Sequence, residues 1–363
     1  MPRTPLCELL GIEHPILNVG FALPAGPELA AAVSNARGLG VLGATGHPAS
    51  LVKERVRRTR ELTSRPFGMN VILDERCVSL TPRPETIAAC LAERVAALVL
   101  FWGDPAPYVA SAHRAGAKVI VQVGDVDEAR RAAAAGVDAI IAQGAEAGGH
   151  VKGTTALSTL VPAIVDAVAP LPVLASGGIA DGRGLAAALA MGAQGVSLGT
   201  RFVASEECWA LRAYKERVVA ASAEDTVYAT DLYHVNWPGA PHRVLRNRLV
   251  SEWEAAGRPG PGAKPGEGTV IGRTRRPDGS TVEILRYSAT MPTGAFEGDI
   301  ELAGLWAGQS AALVHDIKPA GDIVRELARD ADAILAERGP HLEGALTDRE
   351  VVPRTRQATD RAD

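Results

Sequence analysis

Eight consecutive residues, Gln143-Gly144-Ala145-Glu146-Ala147-Gly148-Gly149-His150, follow an apolar run and end on an imidazole. Gly148 and Gly149 carry no side chain, so a flat ligand can lie against their backbone. His150, whose ordinary pKa lies near neutrality, suits the removal or relay of a proton. The plainer alternative is a loop histidine that makes structural hydrogen bonds. Two more glycine clusters follow short apolar runs: Ser176-Gly177-Gly178-Ile179-Ala180-Asp181-Gly182-Arg183-Gly184 and Ser197-Leu198-Gly199-Thr200-Arg201. Glycine lets backbone N–H groups approach phosphate oxygens, a helix N-terminus adds partial positive charge, and Thr200 offers a hydroxyl. The alternative is that these glycines only close tight turns. Asn70, in Phe67-Gly68-Met69-Asn70, brings an amide that can donate and accept, or simply cap a turn.

Positioning these groups requires strands that end where they begin. Eight apolar runs without polar alternation predict parallel strands buried on both faces: Pro15–Gly20, Gly38–Leu42, Phe67–Leu73, Ala96–Trp102, Ala117–Val123, Val137–Gln143, Pro172–Ser176 and Gln194–Gly199. Helical patterns separate them at Pro27–Asn35, Ala49–Leu62, Pro84–Arg94, Pro105–Ala115, Val126–Ala135, Leu157–Val168 and Gly182–Met191. The expected architecture is α/β, a (β/α)8 TIM barrel with a late insertion or small lid domain; an open doubly wound sheet is the alternative. Such a barrel commonly builds a phosphate site from the loops after strands seven and eight, where two of the glycine clusters fall. Gly38-Leu39-Gly40-Val41-Leu42-Gly43 matches GxGxxG but is itself the strand, whereas a dinucleotide fingerprint follows a strand and opens a helix.

The βα rhythm stops near Phe202. Residues 1–202 are read as the barrel core, 203–300 as the insertion, 301–338 as a return to the barrel with a terminal helix at Ala320–Glu337, and 339–363 as a polar, frayed tail. Within the insertion, Ser205–Ala221 looks helical, Tyr228–Leu249 shows no clear period, and Gly257–Gly268 is a flexible breaker stretch. Pro277-Asp278-Gly279-Ser280 between alternating runs predicts a hairpin. The insertion is expected to shape substrate access, with Trp306 and Gln309 facing the pocket. The alternative is an appendage used for homodimer contacts.

Thirty-eight basic residues against 42 acidic ones, with no basic patch, argue against a nucleic-acid partner. The longest apolar runs fall far short of the ~20 residues of a membrane span, and the first residues lack a secretory apolar core. Cys7, Cys77, Cys90 and Cys208 lie far apart without a CxxC, which reads as free thiols in a reducing cytosol. The expectation is a cytoplasmic enzyme of small molecules.

Taken in order, Phe67-Gly68-Met69-Asn70, the loop ending at His150, Gly177–Gly184 and Gly199-Thr200-Arg201-Phe202 resemble the nitronate monooxygenase (formerly 2-nitropropane dioxygenase) family of FMN-dependent TIM-barrel proteins. The resemblance runs from about Pro15 to Phe202 and resumes at Leu305–Ser310. It implies FMN contacts from Asn70, Gln143, Gly148, Gly178, Ser197, Leu198, Gly199 and Thr200, and it makes His150 the catalytic base. One departure stands out: the first strand reads Pro15-Ile16-Leu17-Asn18-Val19-Gly20-Phe21, with Phe21 where the family typically has a methionine near the flavin. The implied activity is oxidation of alkyl nitronates or nitroalkanes with O2. The alternative is an NAD(P)H-dependent reductase of a quinone or enoyl thioester on the same FMN. From a different class, a flavin-free barrel binding a phosphorylated metabolite also satisfies the glycine clusters.

Overall fold

The computed structural model describes residues 3–78, 81–276 and 279–347, with side chains through 337. The chain forms eight short parallel strands: β1 (Ile16–Asn18), β2 (Gly40–Gly43), β3 (Phe67–Ile72), β4 (Ala97–Phe101), β5 (Lys118–Val123), β6 (Ala139–Gln143), β8 (Val173–Ser176) and β9 (Gly195–Leu198). Between β6 and β8 lies β7 (Gly149–His150), a two-residue strand outside the barrel. The order β1-β9-β8-β6-β5-β4-β3-β2 is parallel throughout, so the two ends of the sheet are the first two strands. Every residue of the eight barrel strands but Ile72 and Lys118 is buried, which is why the runs lacked polar alternation.

The barrel closes at a seam between β1 and β2 that contains only one bridge, Leu17 to Leu39. The fully buried Asn18 completes it. Its Nδ2 donates to the Val41 carbonyl at 2.8 Å and its Oδ1 accepts from the Val41 N–H at 2.8 Å. A side-chain amide thus stands in for a backbone peptide across the closing pair. The barrel interior holds Leu17, Leu39, Val99, Ile120, Ile141 and Leu174. A helix at Pro5–Leu10, which the sequence reading did not anticipate, joins this cluster through Leu6 and Leu10. Leu6 meets β9 at its amino end, so the barrel is plugged on the face opposite the strands' carboxyl ends.

Residues beyond 203 add β10 (Thr226–Ala229), β11 (His242–Leu245), β12 (Val270–Arg275), β13 (Thr281–Leu285) and β14 (Phe296–Gly298). β12 and β13 form the expected hairpin, pairing Arg275 with Thr281, while Pro277 and Asp278 lie outside the described residues. The expected helix at Ser205–Ala221 shortens to Arg212–Val219. Its first third is recruited elsewhere: the Trp209 N–H donates to the Pro24 carbonyl and the Leu211 N–H to Pro292. The Gly257–Gly268 stretch is anchored rather than loose, because buried Lys264 donates to the carbonyls of Asp231 and Leu232. The terminal helix runs Ala320–Thr347, past the expected stop, and 348–363 lie outside the described residues. Among the described residues no helix is long and apolar enough to cross a membrane.

Asn18→Ala should leave the N–H and carbonyl of Val41 unsatisfied inside the barrel and cost on the order of 3 kcal/mol. Urea denaturation should show the midpoint falling with little change in slope; an unchanged midpoint would mean the seam is held by packing alone.

Candidate active site

A cavity of about 830 Å³ opens at the carboxyl ends of the strands. That is the upper part of the ~300–1,000 Å³ range of ligand pockets, room for more than one small organic molecule. The loop of residues 144–149 leaves β6 and is held from several sides. Glu146 accepts the Leu157 N–H with both carboxylate oxygens, capping the next helix, and Arg243 donates to the Ala145 carbonyl at 3.0 Å. A Cβ on Gly148 would lie 2.2 Å from the Gly308 nitrogen. Glycine is therefore required there for a backbone crossing with Ala307–Gly308, whatever lies against its cavity side.

β7 then pairs antiparallel with β11, His150 opposite His242 and Gly149 opposite Arg243. The next residue but one of β11, Val244, bridges to Trp306. One short strand of the insertion thus sets His150 and Trp306 side by side, with ring centroids 4.9 Å apart and planes at 29°. Trp237, also from the insertion, covers the ring with a centroid distance of 3.9 Å, and Trp102 approaches edge-on at 6.3 Å. Trp237 is fixed by its Nε1, which donates to Asp74 Oδ2 at 2.9 Å. This aromatic cage had no sequence signal beyond the isolated tryptophans, since β11 is four residues long and breaks no local pattern.

Of the residues expected at the site, Asn70, Gln143, Gly148, His150, Leu198, Gly199 and Thr200 line the cavity. Gly178 and Ser197 do not line it, although Gly178 adjoins the lining residues Gly177 and Ile179. Asn70 donates through Nδ2 to the Val99 carbonyl at 3.0 Å, and among the described residues no donor reaches its Oδ1. Gln143 donates to the His150 carbonyl at 2.9 Å, so it positions the histidine. Gly177 and Gly178 adopt φ of 105° and 70°, a conformation that favours glycine. Among the described residues neither of their N–H groups finds a backbone acceptor outside regular elements. The following helix is already capped, since Asp181 accepts from the N–H groups of Arg183 and Gly184. Thr200 Oγ1 accepts from the Gly308 N–H at 2.9 Å, which leaves its hydroxyl proton free to be donated. Trp306 lines the cavity as expected; Gln309 is exposed and does not, its neighbour Ser310 taking that place. Gln122, Phe21 and His47 line the cavity as well. Gln122 and His47 went unnoticed because each stands alone in the sequence.

The electrostatics keep the imidazoles neutral. His150 Nε2 is sealed from solvent with no hydrogen-bond partner. Burial, with a smaller contribution from nearby His242, holds its pKa well below 6.5. His242 is fixed in one tautomer: Nδ1 lies 2.8 Å from the Ala240 carbonyl and Nε2 accepts the Tyr233 N–H at 3.2 Å. Burial takes its pKa to about 4 and that of His47 to about 3. An unprotonated imidazole caged by indoles, beside an apolar cavity with a bare glycine turn, can accept a proton from a bound carbon acid.

Parallel barrel, strand-end cavity and glycine turns together define a TIM-barrel enzyme, and the comparisons specify which kind. Residues 3–330 match the family model for nitronate monooxygenase, and the chain belongs to that family of oxidoreductases, whose members typically use a flavin. It is 33% identical over 351 residues, 91% of this chain and 96% of the relative, to the (3aS,4S,5R,7aS)-5-hydroxy-7a-methyl-1-oxo-octahydro-1H-indene-4-carboxyl-CoA dehydrogenase of Mycobacterium tuberculosis. It is also 33% identical to the nitronate monooxygenase of Pseudomonas aeruginosa, covering 89% of this chain and 97% of that one. The structure of FabK from Thermotoga maritima superposes with a TM-score of 0.75 at 33% identity, covering 94% and 100% of the two chains.

The lowered histidine pKa values predict acid sensitivity with a definite sign. Above pH 6.5 folded and unfolded chains are both neutral at His47 and His242. Below it the unfolded chain takes up protons that the fold refuses, so stability falls with pH. Each site should cost about 2 kcal/mol at pH 5 relative to pH 7. Urea denaturation across that window should show the loss, and His242→Asn should flatten it; a slope untouched by either histidine would contradict the assignment.

Proposed function

We propose that this chain is an FMN-dependent oxidoreductase of carbon acids, with alkyl nitronates and their parent nitroalkanes as substrates and O2 as electron acceptor. The observation that carries the reading is His150: neutral, caged between Trp237 and Trp306, with its Nε2 left without a hydrogen-bond partner. It takes the α-proton of a nitroalkane, and the indoles exclude water from the reacting carbon. Gln143 holds the histidine by its carbonyl. The residues present fit the cofactor. The Gly177–Gly178 turn and Gly199–Thr200 offer one cradle, suited to a monophosphate, and Asn70 Oδ1 offers an acceptor for a ring edge; Leu198 and Gly148 lie along the same wall and Ser197 and Gly178 just behind it. FMN, when bound, supplies the redox chemistry.

A second reading is an NAD(P)H-dependent reductase of a quinone or enoyl thioester. Two observations favour it: the cavity, at about 830 Å³, is large, and the departure at Phe21 falls on its wall. One of the relatives is named as a dehydrogenase of a carboxyl-CoA.

Acid release should yield FMN, and FAD or no flavin in folded protein would remove the proposal's basis. Anaerobic mixing should bleach the flavin with a nitronate faster than with NADH or NADPH; the reverse order selects the second reading. His150→Ala should retain FMN and lose nitroalkane turnover by ~10²–10⁴-fold, while preformed nitronates, which need no base, are spared. Wild-type turnover of nitroalkanes by this variant would make His150 structural.

A further inference from the structure

The insertion holds a buried cluster of titratable groups that the reaction above does not use. Lys264, in the proline- and glycine-rich stretch 257–268, is 5% exposed and does not line the cavity. An ammonium has three N–H donors, and all three are engaged. They reach the Asp231 carbonyl at 2.5 Å, the Leu232 carbonyl at 3.1 Å and Nδ1 of His234 at 2.6 Å. Because an ammonium only donates, Nδ1 of His234 accepts, which places the imidazole's proton on Nε2, 2.9 Å from Glu267 Oε1. Glu267 Oε2 accepts the N–H groups of Gly262 at 2.7 Å and Lys264 at 3.2 Å, folding the stretch back on itself. Tyr287 closes one side: its ring centroid lies 5.2 Å from the ammonium, and its hydroxyl donates to the Pro265 carbonyl at 2.8 Å. Burial lowers the Lys264 pKa to about 8, with Asp231 and Glu267 opposing the shift, so the cation persists at neutral pH.

What the ammonium grips is the segment 231–237, and that segment builds the cage. Trp237 covers His150. The Tyr233 N–H fixes Nε2 of His242, which stands opposite His150 on β11, and the Tyr233 ring centroid lies 5.5 Å from that of Trp306. The segment belongs to no regular element. Among the described residues neither the Asp231 nor the Leu232 carbonyl accepts a backbone N–H outside regular elements, so the ammonium is their donor. Trp237 is tied at two points: its indole donates to Asp74, and its backbone N–H donates to the His234 carbonyl at 3.1 Å. That turn passes the placement of His234, the third acceptor of Lys264, to the backbone of Trp237. The plainer alternative is a lysine that only stabilises the insertion. Against it stands the choice of acceptors: all three come from one four-residue stretch whose other groups hold His242 and Trp237.

We propose that Lys264 is a positioning residue for the proton-abstracting site, setting the 231–237 segment through two carbonyls and His234 and thereby the cover of Trp237 over His150. The inference rests on the carbon-acid reading for its effect on turnover but not for its effect on the cage. It gives a stretch remote from the cavity a part in the reaction without contact with the substrate.

The test uses the flavin-loaded full chain. Lys264→Met removes all three donors at similar length. It should lower kcat for a neutral nitroalkane by ~10–100-fold, with KM little changed and preformed nitronates spared. In a Trp237→Phe background the same substitution should cost no more than ~2-fold, because both changes act through one indole. His234→Gln, whose amide can accept from Lys264 and donate to Glu267, should stay near wild type, while His234→Leu should follow Lys264→Met in direction. His234→Leu carries the same readouts if Lys264→Met does not fold. Acrylamide quenching of tryptophan fluorescence reads the cage without turnover: it should rise in Lys264→Met, and the rise should be absent in the Trp237→Phe background. Wild-type quenching in folded variants, or kcat losses that multiply with those of Trp237→Phe, would overturn the positioning role; nitroalkane turnover that still depends on His150 would leave the reaction standing. A Trp237-dependent rise in quenching in a protein that turns over no nitroalkane would sustain the positioning role and overturn the reaction.

Discussion

The site depends on a strand four residues long. β11 pairs along one edge with β7 and then with Trp306, so a single stretch of backbone fixes both the histidine and the indole stacked on it. Neither partner can hold that position alone: β7 is two residues long, and Leu305–Trp306 lies in no regular element. The remaining contacts secure this junction. Tyr214 donates its hydroxyl to the Trp306 carbonyl, the Leu245 N–H donates to Leu305 at 2.7 Å, and Gly148 admits the crossing backbone of Ala307–Gly308. Because the same junction joins the β6 loop to the late segment, that segment's geometry and the placement of His150 cannot vary independently.

The second constraint is charge. The region around His150 is dry, and its imidazoles are kept unprotonated by burial, while His242 is held besides by a backbone N–H pointing at its lone pair. Asp74, at the edge of the cage, stays ionised for the opposite reason. Burial raises its pKa, but hydrogen bonds from Arg76 and Trp237 outweigh that and lower it overall. A neutral imidazole and a cage anchored by an ionised carboxylate are thus produced by different local balances within one shell. Both are consistent with chemistry that removes a proton away from bulk water.

Glycines in this chain serve two separate ends. At Gly177 and Gly178 a positive φ turns the backbone so that, among the described residues, neither N–H meets a backbone acceptor outside regular elements. At Gly148 the requirement is clearance for a neighbouring main chain. In the sequence the two look alike, since both are pairs of glycines after a strand.

The barrel was legible in the sequence because parallel strands buried on both faces leave uninterrupted apolar runs, and all eight appear where those runs fall, with ends shifted by a residue or two. The glycine turns after β8 and β9 and the histidine loop after β6 were legible for a related reason: in this architecture the strand order places them at one face before any contact is known. What the sequence could not supply was long-range pairing. Asn18 reads as an ordinary polar residue, yet it closes the barrel through the backbone of Val41. Trp237 and His242 lie in a stretch without period, because their positions answer to Asp74, Ala240 and His150 rather than to neighbours in the chain. Local propensity and periodicity determine where strands and turns occur. Which side chains meet around His150 is decided only when segments far apart in the chain pack together.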